Sequence, residues 1–259
     1  MSARYLPHSV YFYTVVGSAD NLLGLPLNSW ALWLIASGKS SLVQSELLTL
    51  NLLVMENMCS LWFFVSLLPI FSSVHSLSSM LNFYHAMAVV GRALFQCHVC
   101  VDRYLAVLHP TRFIRYKQMK YRGACVAAGW LLVIYCGLSF VFLSETKYVF
   151  YIVAFVFLVP ILLTELFCSL SIFRVLRKPG PGKKEKGGNR QKKRAVNVIC
   201  MVQVMLVFNV VPFIVVPFIL SFLKVDLTPI AFTLSTVGSS AQAFLFLRRN
   251  GKLPCKSKT

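Results

Sequence analysis

An all-α membrane protein folded as a seven-transmembrane-helix bundle is the architecture predicted by composition, by the spacing of the apolar stretches and by the placement of the cations. Of 259 residues, 57% are hydrophobic and 13% are charged, and the mean hydropathy is +0.70. Soluble domains run at about 45–50% apolar and about 25% charged residues, so the solvent this chain is built for is a bilayer. A helix needs about 20 predominantly apolar residues to cross roughly 30 Å of hydrocarbon. Seven such stretches lie near 10–37, 44–70, 77–105, 123–144, 148–176, 195–222 and 228–248. All are expected to be helical, because backbone groups in lipid must be satisfied within the segment, and the alternating pattern of a membrane barrel is missing.

The first stretch continues apolar through Leu34-Ile35 and reads as an anchor rather than a removable leader. Orientation follows from the 26 Lys and Arg residues. Lys39 lies in the first loop, six cations in 103–122, ten in 174–194 and five after 247, together 22 on one side. Arg4, Lys147 and Lys224 fall on the other side, and Arg92 lies within a span. The positive-inside rule therefore puts the amino terminus outside and the carboxyl terminus in the cytosol, in a multi-pass protein expected at the plasma membrane. The net charge of +18 is read as a topology signal that also attracts anionic inner-leaflet lipids, not as a nucleic-acid footprint.

Between the fifth and sixth spans, 177–194 is a basic, flexible loop whose core is Lys178-Pro179-Gly180-Pro181-Gly182-Lys183-Lys184-Glu185-Lys186-Gly187-Gly188. The outer loops are short, Ser144 to Tyr148 being little more than a turn, and no Asn-x-Ser/Thr acceptor occurs. The eight cysteines fall in spans or on the cytosolic side, where most serve as small packing residues. The basic tail, 249–259, carries Cys255 among cations, a setting for reversible palmitoylation or an unmodified thiol.

The third span ends in Cys100-Val101-Asp102-Arg103-Tyr104-Leu105-Ala106-Val107-Leu108-His109-Pro110. Along it, His85, Arg92, Gln96 and Arg103 fall at i, i+7, i+11 and i+18, one helical face about 27 Å long at 1.5 Å per residue. Charge in lipid is costly and pairs in the interior, so this face looks into the bundle and Arg92 needs an acid at its own depth.

Taken in order, several spans resemble those of rhodopsin-like G-protein-coupled receptors. The motifs are Gly24-Leu25-Pro26-Leu27-Asn28, Leu50-Asn51-Leu52-Leu53-Val54-Met55-Glu56, the Asp102-Arg103-Tyr104 stretch, Trp130, Phe157-Leu158-Val159-Pro160 and Pro212-Phe213. The Leu105-Ala106-Val107-Leu108-His109-Pro110 continuation is most similar to the branch holding nucleotide, protease-activated and hydroxycarboxylic acid receptors, of which this would be an atypical or orphan member. The resemblance implies that Arg103 is restrained by Asp102 until an agonist opens a cleft for a heterotrimeric G protein, with Asp102, Arg103, Tyr104 and Pro110 forming the switch and coupling region. It also implies that Glu56 faces Arg92 where relatives hold a sodium ion, so that a guanidinium takes the cation's place. Arg92 paired with Glu165, or with water and Gln96, is the other arrangement open to it.

The resemblance places a ligand pocket among the outer halves of four spans, at Asn82, His85, Ala86, Val89, Phe213, Pro217, Phe232 and Thr236. No acid on the outer third span offers an amine counter-ion, and the outer sixth span has no Arg or Lys. An apolar cavity for a small lipid-like ligand is expected, with His85 either a ligand contact or hydrogen-bonded to a neighbouring helix. The seventh span has no Lys for a retinal Schiff base. Departures from the family are Ser78 for its third-span cysteine, Val210 for its aromatic switch, Cys168 for its fifth-span tyrosine, and Gln242-Ala243-Phe244-Leu245-Phe246 for its Asn-Pro-x-x-Tyr. They keep a second function open, a non-signalling accessory or scaffold protein or a decayed receptor. Transport and catalysis lack support: no repeat with paired broken helices, no P-loop, no His-Glu-x-x-His and no nucleophile constellation occurs, and no cofactor or metal is expected. A monomer and a homo- or heterodimer are equally compatible with the sequence.

Overall fold

Each long apolar segment closes its own backbone hydrogen bonds, as a chain without water around it must. The computed structural model describes residues 8–38, 46–71, 78–116, 118–143, 147–177, 210–215, 228–236, 243–244 and 246–247. The helices are α1 (His8–Ala36), α2 (Leu47–Phe71), α3 (Ser78–Leu108), α4 (Pro110–Tyr116), α5 (Met119–Leu143), α6 (Lys147–Arg177) and α7 (Thr228–Thr236). Residues 210–215 are also helical. The architecture is all-helical among the described residues. The loop core at 178–188, most of the expected sixth span and the tail with Cys255 lie outside them.

Three of these helices are long and apolar enough to cross a membrane, over Leu47–Leu68, Met119–Phe142 and Phe155–Val175. The 31-residue α3 is also long enough at about 46 Å, but its inward line of polar side chains lowers its hydropathy. α3 is the central helix, packed against α2, α5 and α6, while α1 lies on α2 and α7. Close approach is made by glycine. A Cβ on Gly137 of α5 would lie 2.6 Å from Phe83 on α3, and one on Gly91 of α3 would overlap the Met55 side chain of α2.

One core cluster joins Val89, Ala93 and Cys97 of α3 to Leu158 and Ile161 of α6, Val210, Phe213 and Ala231. The surface is the reverse of a soluble protein's. Leu22, Leu23, Trp33, Leu131, Tyr135, Phe142, Leu163 and Phe167 are each at least 60% exposed, whereas Glu56, Arg92, Asp102 and Arg122 are buried. Apolar exterior around a charged interior is what a hydrocarbon solvent selects.

The loop after α3 has a helix of its own, α4, which apolar periodicity does not announce because it is seven residues long and buries none of them. His109 separates it from α3, donating its N–H to Leu105 and accepting one from Phe113. Pro110 then takes the first helical position, where its missing N–H is harmless.

Candidate functional site

Midway along α3 the Arg92 guanidinium meets Glu56 of α2, Nε to Oε2 at 3.2 Å, with both side chains buried. A second arm of the same group, Nη1, donates to the Ser235 carbonyl of α7 at 3.4 Å. One cation thus ties three helices. Gln96 is buried one turn further along. Glu165, the other acid considered for Arg92, is buried in α6, and its carboxylate oxygens have no hydrogen-bond partner among the described residues. Beside this centre the Trp130 indole of α5 donates to Asn51 Oδ1 at 3.0 Å, and the Asn51 amide donates to the Leu47 carbonyl at 2.8 Å. Two residues from separate sequence motifs are thereby joined across α2 and α5.

At the end of α3 the neighbours Asp102 and Arg103 point to different partners. Asp102 accepts from Arg122 of α5 in a buried ion pair. The Arg122 guanidinium also sits over two rings of α4, 5.6 Å from the centre of Phe113 and 5.9 Å from that of Tyr116. Arg103 pairs instead with Glu46, Nη2 to Oε2 at 3.2 Å, and the same oxygen accepts the Thr49 hydroxyl at 2.9 Å. Beside the expected attraction between Asp102 and Arg103, each of the two has a further partner of its own. The reason is helical geometry: residues i and i+1 lie about 100° apart and do not face each other. The Arg103 side chain is 41% exposed against 5% for Glu46, so the arginine is held at one side and hydrated at the other, able to change acceptors at small cost.

Tyr104 shares a hydrogen bond with His109 Nε2 at 3.3 Å, and its ring lies against Phe167 of α6 with centroids 5.8 Å apart. Pro110 is exposed at the start of α4. Burial pushes the Tyr116 phenol up from its ordinary value, with Cys125 adding to the rise, so it stays a neutral donor. Of the expected ligand-pocket residues, Ala86, Val89 and Phe213 are buried, His85 is half-buried and Asn82 is exposed. Pro217 and the side chains of Phe232 and Thr236 lie outside the described residues. Six cysteines are free thiols among those residues, Cys125 being the one that is not buried. No group of three His, Cys, Asp or Glu is placed to hold a metal ion among the described residues.

Glu46 and Arg122 were not singled out by the sequence. Glu46 carried one available signal, an acid at the edge of an apolar stretch in a chain with only eight acids. Arg122 carried none, being one of six cations between 103 and 122.

Among the described residues, long apolar helices with apolar side chains facing outward and buried charges paired within are those of a membrane protein. No family model matches the chain. Comparison with known proteins shows similarity to G-protein coupled receptor 35 of Mus musculus, 32% identical over 196 residues, which is 67% of this chain and 62% of that relative. The chain thus spans about three fifths of the length of the curated relative it matches.

Proposed function

We propose that this chain is a rhodopsin-like G-protein-coupled receptor of the plasma membrane, with seven spans, the amino terminus outside and the carboxyl terminus in the cytosol. In this reading it passes the signal of a small apolar or lipid-like ligand to heterotrimeric G proteins. The observation that carries it is Arg103: a half-exposed guanidinium at the end of the central helix, paired with Glu46. The likeness to a G-protein coupled receptor supports it.

The ligand cleft is assigned to the other end of α3, with His85, Phe213, Phe232 and Thr236 as contacts and Asn82 at its mouth. A shift there acts on the core that joins α3, α6, Val210, Phe213 and Ala231, which is packed and so moves as discrete bodies rather than yielding continuously. Displacing α3 relative to α2 draws Arg103 from Glu46 and presents its donors to the G protein. Asp102, pinned to Arg122, keeps α4 and α5 in register through the change.

The segment around the departed Asn-Pro-x-x-Tyr motif favours a second reading, a non-signalling accessory protein. Ala243, Phe246 and Leu247 are packed into an apolar cluster with Ala31, Ile35 and Leu53, with no hydroxyl at Phe246 to serve a switch. Basal activation across a G-protein panel, comparing wild type with Arg103→Ala at matched surface expression, separates the two. A receptor loses basal signal in the variant for at least one subtype; no difference in any subtype refutes the receptor reading.

A further inference from the structure

Glu165, just past the middle of α6, is an acid buried without an answering cation among the described residues. It is 1% exposed, and neither of its carboxylate oxygens has a hydrogen-bond partner there. Its surroundings are thiols. Cys97 and Cys100 approach from α3, and Cys168 stands one turn along its own helix. The Cys100 thiol donates to the Glu165 backbone carbonyl at 3.9 Å and shares a hydrogen bond with the Ser169 hydroxyl at 3.4 Å. The backbone of this turn is therefore engaged while the carboxyl group is not. Ionisable groups inside a membrane are paired, so an acid left over in one arrangement of the helices points to another in which it is met.

Arg103 is the cation placed to meet it. It follows Cys100, which touches α6, by three residues, about 4.5 Å farther along α3 and about 60° around it. It follows Arg92, which points at α2, by eleven residues, a net rotation of about 20°. The guanidinium thus leaves α3 between the sector facing α2 and the sector facing α6. Toward α2 it has Glu46 at 3.2 Å, with its own side chain 41% exposed. Packed helices lie about 8–10 Å apart, a gap that a long arginine and a glutamate leaning toward each other span. We propose that Glu165 is the second acceptor of Arg103: when the guanidinium leaves Glu46, one edge of its five-donor fork docks on Glu165 and the other stays open to the cytosol. Glu165 is out of water before the guanidinium arrives, so little further desolvation of the acid opposes the new pair. The proposal rests on the reading of Arg103 as the switch residue.

The test is a stability cycle on the purified full chain in detergent, unfolding being followed with a dye that reacts with thiols buried in the fold. Glu165→Gln keeps the shape of the side chain and removes its charge. In the wild-type background, where Glu46 holds Arg103, it should leave the melting temperature unchanged or raise it, because an acid without a partner is removed. In Glu46→Gln, where Arg103 is released, the same change should lower the melting temperature by about 2–6 °C. Adding Arg103→Ala should abolish that loss. Glu165→Met, which fills the space without polar atoms, is read alongside and should follow the same pattern. In cells, Glu165→Gln should cancel the rise in basal G-protein activation caused by Glu46→Gln. An equal loss in every background, or none in Glu46→Gln, overturns the second acceptor. The stability cycle needs no G protein: a cycle that holds in a chain without basal signal supports the Arg103–Glu165 pair and refutes the receptor reading instead.

Discussion

Replacing Glu56 and Arg92, singly and together, tests whether the centre of the bundle is held by their ion pair. At 3.2 Å the attraction is about 5 kcal/mol at an effective dielectric constant of 20, much of it offset by removing both charges from water. What can be measured is the cost of leaving one charge behind, about 3–5 kcal/mol for a buried pair. Glu56→Leu leaves the Arg92 cation without its facing carboxylate, and Arg92→Met leaves Glu56 without its facing cation and also gives up the Ser235 carbonyl contact. The double variant leaves neither charge and fills the space with side chains of similar volume, an exchange that is often neutral or stabilising. A thiol-reactive dye follows unfolding of the purified protein, because Cys59, Cys97 and Cys136 are buried until the bundle opens. With about 2–4 °C per kcal/mol for chains near this size, each single variant should melt about 6–20 °C below wild type. The double should melt well above the sum of the two losses. Strictly additive losses would refute the pairing, since residues in direct contact are expected to couple by about 0.5–3 kcal/mol.

Two further outcomes follow from the same geometry. Glu46→Gln releases Arg103 from its acid; a half-exposed pair of this kind is worth up to about 1 kcal/mol, so basal G-protein activation should rise about fivefold and vanish when Arg103→Ala is added. Unchanged basal signal at matched surface expression would show that Glu46 does not restrain the switch. Trp130→Phe removes the indole donor to Asn51 and leaves its oxygen wanting, which should cost about 1–3 kcal/mol and lower the dye-reported melting temperature by about 2–12 °C. Adding Asn51→Leu should recover part of that loss; a double variant no better than the single would mean that the bond contributes little.

The amino-acid sequence by itself determined the solvent and the helical class. Apolar segments long enough to cross hydrocarbon have no alternative to the helix, and that constraint is local, acting through each segment's own backbone. It also placed His85, Arg92, Gln96 and Arg103 on one face, because a 3.6-residue period needs no knowledge of neighbours. Which acid meets which cation was decided only in three dimensions. Asp102 and Arg103 are adjacent in the chain yet diverge around the helix, so their partners come from α5 and from the residue before α2. Arg92 could be satisfied by Glu56 or Glu165 on sequence grounds, and the register of α2 against α3, set where Gly91 admits Met55, puts Glu56 within reach. Short α4 was illegible for the same reason: it is held not by an apolar stripe but by the rings of Phe113 and Tyr116 over Arg122, a contact between segments that only the packing of α5 brings together.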